Sequence, residues 1–167
     1  IGMIILKPEW AGKLILIGTS ADQETRLPLA EEIGADLILL ADQQDVTAAV
    51  MDATQGRGAD LVIEASGAPP AVASTPHLVR KMGTISQIGL TGLDEISFPW
   101  DAAAVKACRI VFNMSTAYTC WDRAIGLMAS GAVDAGKLIS HVYPLEDWQE
   151  AFRMVEEKQA IKALLIP

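Results

Sequence analysis

Five short apolar runs constrain this chain most: Lys13–Gly18, Asp36–Leu40, Asp60–Glu64, Thr84–Leu90 and Arg109–Met114. They lack polar alternation, the pattern of strands covered on both faces, as in a parallel sheet. Helical periods lie between them. Val46, Ala49, Val50 and Ala53 recur at i, i+3, i+4 and i+7, and Gly56 stands where it would end that helix at C′. Trp121, Ala124, Ile125, Met128 and Ala129 repeat the stripe, closed by Gly131. Strand alternating with helix over short connections predicts an α/β fold with a doubly wound, mainly parallel sheet, in one domain spanning 1–167.

The last part differs. LEDWQEAFRMVEEK sets Leu145, Trp148, Phe152 and Val155 on one helix face, with Glu146, Asp147, Glu150, Glu156 and Glu157 on its wet side, and KALLIP reads as a strand. Pro28 and Pro76 interrupt helical segments and are expected in the first turns of shorter helices, where a missing N–H costs little. Pro8 falls in IGMIILKPEWAGK, which reads as a broken helix or as a strand over Ile1–Leu6.

At 167 residues, with 51% apolar and 20% charged, the chain can bury one core. No apolar run approaches the roughly 18–20 residues of a bilayer span and no cleavable leader opens it, so the expectation is a soluble, cytoplasmic protein with no membrane partner. A net charge of −8 without basic clusters argues against nucleic acid. Cys108 and Cys120 match no ligand spacing and read as reduced thiols, while His77 and His141 stand alone. No metal site and no catalytic residue is assigned from the sequence.

In open α/β sheets ligands bind beyond the carboxyl ends of the strands. The first such end is Gly18-Thr19-Ser20, with Arg26 further on. A carboxylate at position 18 would accept from the ribose hydroxyls of NAD and repel the extra phosphate of NADP. Gly18 removes that repulsion, and Thr19, Ser20 and Arg26 offer hydroxyls, amides and charge, so NADP is slightly favoured over NAD. Ser20 and Gln23 also fit an S-x-x-Q capping box. The next end, EASG at Glu64–Gly67, is small enough for an adenine ring to lie on it, or simply turns the chain before Pro69-Pro70. The third, QIGLTG at Gln87–Gly92, has glycines that let backbone approach a planar ligand.

From about Lys13 to Pro167 the chain resembles the coenzyme domain of the medium-chain, zinc-type alcohol dehydrogenases, near the threonine, sorbitol and polyol branch. EEIGADLILL, GRGADLVIEASGAPPAV, LVRKMGTISQIGLTG, TAYTCWDRAIGLMASGAV and LISHVYPLEDWQEAFRMVEEKQAIKALLIP carry the resemblance. It implies a Rossmann-type sheet and an oxidoreductase that moves hydride between an alcohol carbon and nicotinamide C4. By position it implies that Gly18, Thr19 and Ser20 read the adenosine ribose, that Ala65 and Ser66 flank the adenine, and that Gly89 and Leu90 hold the nicotinamide carboxamide. Asn113 and Met114 match the adjoining strand end, and Lys162 a basic residue at the pyrophosphate. It further implies a homo-oligomer paired through an edge strand near Cys108–Met114, and residues 140–167 packed toward a zinc-bearing domain.

The departures from the family bear on function. Its zinc ligands, substrate pocket and proton relay sit in an amino-terminal domain without counterpart in this sequence, so no zinc is expected in this chain. Its first strand and most of its G-x-G-x-x-G turn are also missing, with Ile1-Gly2 standing as the tail of that turn. In strand order 3-2-1-4-5-6 the first strand is central, and its loss leaves two apolar edges to be paired by Ile1–Leu6, by a second copy, or by a longer protein. Phe112 and Met82 stand where glycine is usual in the family. Three roles remain open: the cofactor portion of an NAD(P)-dependent alcohol or polyol dehydrogenase, inactive alone; a stand-alone nucleotide-binding module; or a structural dimer without catalysis.

Overall fold

A computed structural model describes residues 12–167. In chain order the elements are β1 (Ile15–Gly18), α1 (Arg26–Glu32), β2 (Leu37–Leu40), α2 (Val46–Ala53), β3 (Ala59–Glu64), α3 (Pro69–Leu78) and β4 (Val79–Gln87). After them come α4 (Trp100–Val105), β5 (Arg109–Phe112), α5 (Tyr118–Ala129), β6 (His141–Pro144), α6 (Trp148–Glu156) and β7 (Ala163–Ile166). They divide into two compact units, 12–44 with Ala117–Pro167, and Asp45–Thr116. Every strand pairing among the described residues is parallel, as the unalternated apolar runs predict, but the strands form three separate sheets of two, three and two strands.

In the first unit β1 pairs with β2, Ile15 opposite Leu37 and Gly18 opposite Leu40. Leu14, Leu27, Ala30 and Leu39 are buried around this pair. Pro28 is the third residue of α1, within its first turn as expected. β6 and β7 pair separately; β6 has no apolar run to announce it, since HVYP is short and half-exposed in alternation. Gly131 (φ 75°) closes α5 at the predicted place, yet the helix buries no residue, and Trp121, Ile125 and Met128 of its stripe are exposed, as is Tyr118. On α6, Trp148 and Phe152 meet edge to face at 5.9 Å on a face that stays open to solvent.

In the second unit β4 is the middle strand, with Val62 opposite Ile85 and Ile85 opposite Ile110. Ile85 and Val79 are 1% and 0% exposed, and burial of each contributes about 1.5–3 kcal/mol. Val50, Val72, Leu78 and Ala103 complete this core. Three boundaries depart from the sequence reading. β4 starts at Val79, because Ala59 pairs with Val79 ahead of a register shift, and it ends at Gln87. Met82 lies in the irregular stretch with φ 56°, a conformation glycine would adopt more cheaply. α2 ends at Ala53 with Gln55 left-handed, so Gly56 lies one place beyond C′.

Pro76 sits near the end of α3, not in its first turn, which Pro69-Pro70 occupy. The helix tolerates it because Val72, whose carbonyl would have received the absent N–H, accepts from Thr75 Oγ1 at 2.8 Å. Among the described residues β1 and β3 are each paired on one side only. The expected pairing of an open edge by Ile1–Leu6, and the placement of Pro8, lie outside the described residues. No helix among the described residues is long and apolar enough to cross a membrane.

Candidate functional site

Parallel pairing brings the carboxyl ends of β1 and β2 to one edge of the first unit. Gly18 ends β1, and a Cβ there would lie 3.0 Å from Leu27 Cδ2, so a side chain at this position must displace a buried leucine. Beyond it, Asp22 Oδ2 accepts from Thr19 N (3.2 Å) and Thr19 Oγ1 (3.0 Å). The capping box is therefore Thr19 with Asp22, and the predicted Ser20–Gln23 box does not form. Ser20 turns instead to Asp42, donating its amide at 3.0 and 3.1 Å and its hydroxyl to the same carboxylate.

Arg26 Nη1 donates to Asp22 Oδ1 at 2.9 Å, and Nη2 to Ala160 O at 3.4 Å. Burial raises the Asp22 pKa, but hydrogen bonds from Arg26 and Thr19 outweigh it and hold the carboxyl below the usual aspartate range. The Ser20 hydroxyl does the same for exposed Asp42. Lys162 has an exposed side chain just ahead of β7, two residues after the carbonyl that holds Arg26, and its backbone carbonyl accepts from Ser140 N at 3.0 Å. The structure thus gathers Gly18, Thr19, Ser20 and Arg26 at one tip and adds Asp22 and Asp42. Sequence reasoning missed Asp42 because it lies 22 residues from Ser20, in a polar turn after β2.

Ala65, Ser66, Gly89, Leu90, Asn113 and Met114 follow β3, β4 and β5 in the second unit, where three parallel strands end at one edge. Asn113 is tied to the β4 end: its amide donates to Gln87 O at 2.9 Å and its Nδ2 to Ser86 Oγ at 3.0 Å. Ala65, Ser66, Leu90 and Met114 are exposed, while Gly89 is half-buried. Beneath them lies Glu64, the last residue of β3 and only 5% exposed. Its Oε1 accepts from Ser66 N (2.9 Å), Ser66 Oγ (2.5 Å) and Gly67 N (3.1 Å), and its Oε2 from Gln87 Nε2 (2.7 Å). Gln87 Nε2 also donates to Gly89 O at 2.9 Å, and Glu64 O accepts from Ile88 N and Gly89 N.

Glycine is required where these two tips touch. A Cβ on Gly67 would lie 2.1 Å from Leu90 O, and one on Gly89 2.1 Å from Gly67 N. Among the described residues no three His, Cys, Asp or Glu side chains are grouped to hold a metal ion. Cys108 is half-buried and Cys120 exposed, both as free thiols.

Comparison with known proteins places this arrangement. Residues 9–131 match the family model described as zinc-binding dehydrogenase. The chain is 35% identical over 156 residues to a sorbitol dehydrogenase of Halalkalibacterium halodurans, covering 93% of this chain and 45% of that protein. It is 34% identical over 167 residues to a D-arabitol-phosphate dehydrogenase of Enterococcus avium, covering 99% and 47%. Among solved structures, an alcohol dehydrogenase from Thermus sp. ATN1 superposes with a TM-score of 0.90 at 26% identity, over 99% of this chain and 47% of that one. The chain spans less than half the length of each. On the family match over residues 9–131, this chain belongs to the zinc-binding dehydrogenase family.

Proposed function

We propose that this chain is the cofactor-binding portion of an NAD(P)-dependent alcohol or polyol dehydrogenase. The observation that carries the reading is the joined tips of β3 and β4, where Ala65 and Ser66 stand open above glycine backbone, in a chain of this family. Ala65 and Ser66 flank the adenine in this reading, Gly89 and Leu90 present backbone to the nicotinamide carboxamide beside Asn113 and Met114, and Lys162 offers charge to the pyrophosphate. The bound dinucleotide supplies the hydride acceptor. The described residues offer no zinc ligands in a group. A Rossmann-type sheet belongs to the same proposal.

The donor set at the β1 tip supports NAD and gives no support to the preference for NADP read from the sequence. Ser20 and Arg26, taken as phosphate donors, are already bonded to the carboxylates of Asp42 and Asp22. Carboxylates accept from ribose hydroxyls, whereas a 2′-phosphate about 4 Å from one is repelled by about 1–4 kcal/mol. Calorimetric titration with NADH and NADPH tests both levels. NADH is expected to bind more tightly, and Asp42→Asn to shift the ratio toward NADPH by about tenfold, or about 1.4 kcal/mol. An unmoved ratio removes Asp42 from cofactor choice, and binding of neither dinucleotide removes the reading itself.

Two exposed apolar surfaces fit the same assignment. Phe112 and Met114 are 80% and 77% exposed at the end of β5, which among the described residues pairs only with β4, and this edge is proposed to join copies of the chain. Leu145, Trp148 and Phe152, in residues 140–167, are proposed to face the zinc-bearing part of such a dehydrogenase.

A further inference from the structure

We infer that Glu64 is a positioning residue, whose buried carboxylate locks the tips of β3 and β4 into the single platform on which the cofactor lies. The inference rests on the dinucleotide reading for its purpose, though the lock itself is read from geometry alone. Burying a carboxylate is costly unless donors surround it. Here four donors converge on it, and they come from both tips: Ser66 N, Ser66 Oγ and Gly67 N from its own loop, Gln87 Nε2 from the neighbouring strand. Gln87 then extends the link to Gly89 O.

An apolar side chain at position 64 would fill space but leave the Gly67 amide without its acceptor and the Gln87 side-chain amide with Gly89 O alone. Glutamate has the reach to fold back over its own turn while its second oxygen crosses to β4. The contact it enforces is unusually close, because Gly67 and the Gly89–Leu90 peptide meet with no room for a Cβ on either side. Ala65, Ser66, Gly89 and Leu90, the residues proposed to touch cofactor, therefore sit on two loops whose spacing Glu64 sets. Its action passes through the backbone it holds and not through contact with cofactor.

The test uses the full chain and two substitutions. Glu64→Gln replaces one acceptor oxygen by a donor facing donors, and Gln87→Met removes the bridge from Glu64 to β4 together with the bond to Gly89 O. Both variants are expected to keep parent circular dichroism, to speed amide exchange at Gly67 and Gly89 at least tenfold while Val62 and Ile85 stay protected, and to weaken NADH binding about tenfold. Val50→Ala, which destabilises the same unit from α2, should leave NADH affinity unchanged, and so separates positioning from loss of stability. If Glu64→Gln fails to fold, Gln87→Met decides by the same two readouts. Unchanged exchange at Gly67 and Gly89 overturns the lock whether or not the chain binds NADH. Faster exchange with unchanged NADH affinity overturns its role in binding. If the parent chain binds no NADH, the dinucleotide reading falls and the positioning role falls with it, while the exchange data still decide the lock.

Discussion

At the tip of β1 the ordering carboxylates act near the surface: Asp42 is exposed, and the Asp22 side chain is 16% exposed. At the tip of β3 the carboxylate of Glu64 is buried beneath the loop it holds. Both tips must keep a glycine-containing turn in one shape, and both use acidic side chains accepting from backbone amides. The difference lies in depth. An exposed carboxylate competes with water and contributes little to stability, but its charge faces whatever arrives. A buried one has lost its water, so removing it or crowding it is felt by the fold. The first unit's tip is thus suited to select a ligand, and the second's to hold a shape.

The contrast predicts that the same glycine-to-alanine change should differ between the tips. Gly89→Ala should be the most damaging, since its Cβ would lie 2.1 Å from Gly67 N and 2.6 Å from Glu64 Oε2, neither of which can give way cheaply. A loss of about 3 kcal/mol is expected in urea unfolding, at the upper end of overpacking costs. Gly18→Ala crowds the end of the Leu27 side chain at 3.0 Å, which can rotate, with Asp22 in ordinary contact at 3.7 Å, and should cost about 1 kcal/mol. Equal losses at the two sites would break the comparison.

What could be read from the sequence follows the same division. The strands β1, β2, β3 and β5 were legible because each is an apolar run without polar alternation, although Leu61, Ile63, Val111 and Phe112 stay exposed. The start of β4 was not, because Val79 pairs with Ala59 across a register shift and polar Arg80 and Lys81 interrupt the run. The candidate tips were found from their small residues, which are local signals. Their supports were not, because Asp42 reaches Ser20 across 22 residues and Gln87 reaches Glu64 across 23. A glutamate closing an apolar strand, with Ser66 and Gly67 two and three places on, was the available hint that its side chain folds back.

The smallest expected effect is at Asp22, and its pH dependence sharpens the comparison further. The carboxyl lies below the ordinary aspartate value of 3.8 because Arg26 and Thr19 hydrogen bonds overcome the burial that would raise it. A native pKa below the unfolded one means that the unfolded chain binds the proton first as pH falls. The stabilisation is therefore fully present above the unfolded value and is lost as pH drops through the native one. Asp22→Asn should cost under about 1 kcal/mol at neutral pH, the range of a partly exposed ion pair. Melting temperatures of parent and variant, recorded from pH 6 to pH 2, should differ by a constant amount down to about pH 4 and converge below it. A gap that stays open at pH 2 would mean that the Thr19 turn depends on the shape of Asp22 and not on its charge, and the two tips would then be ordered by the same kind of contact.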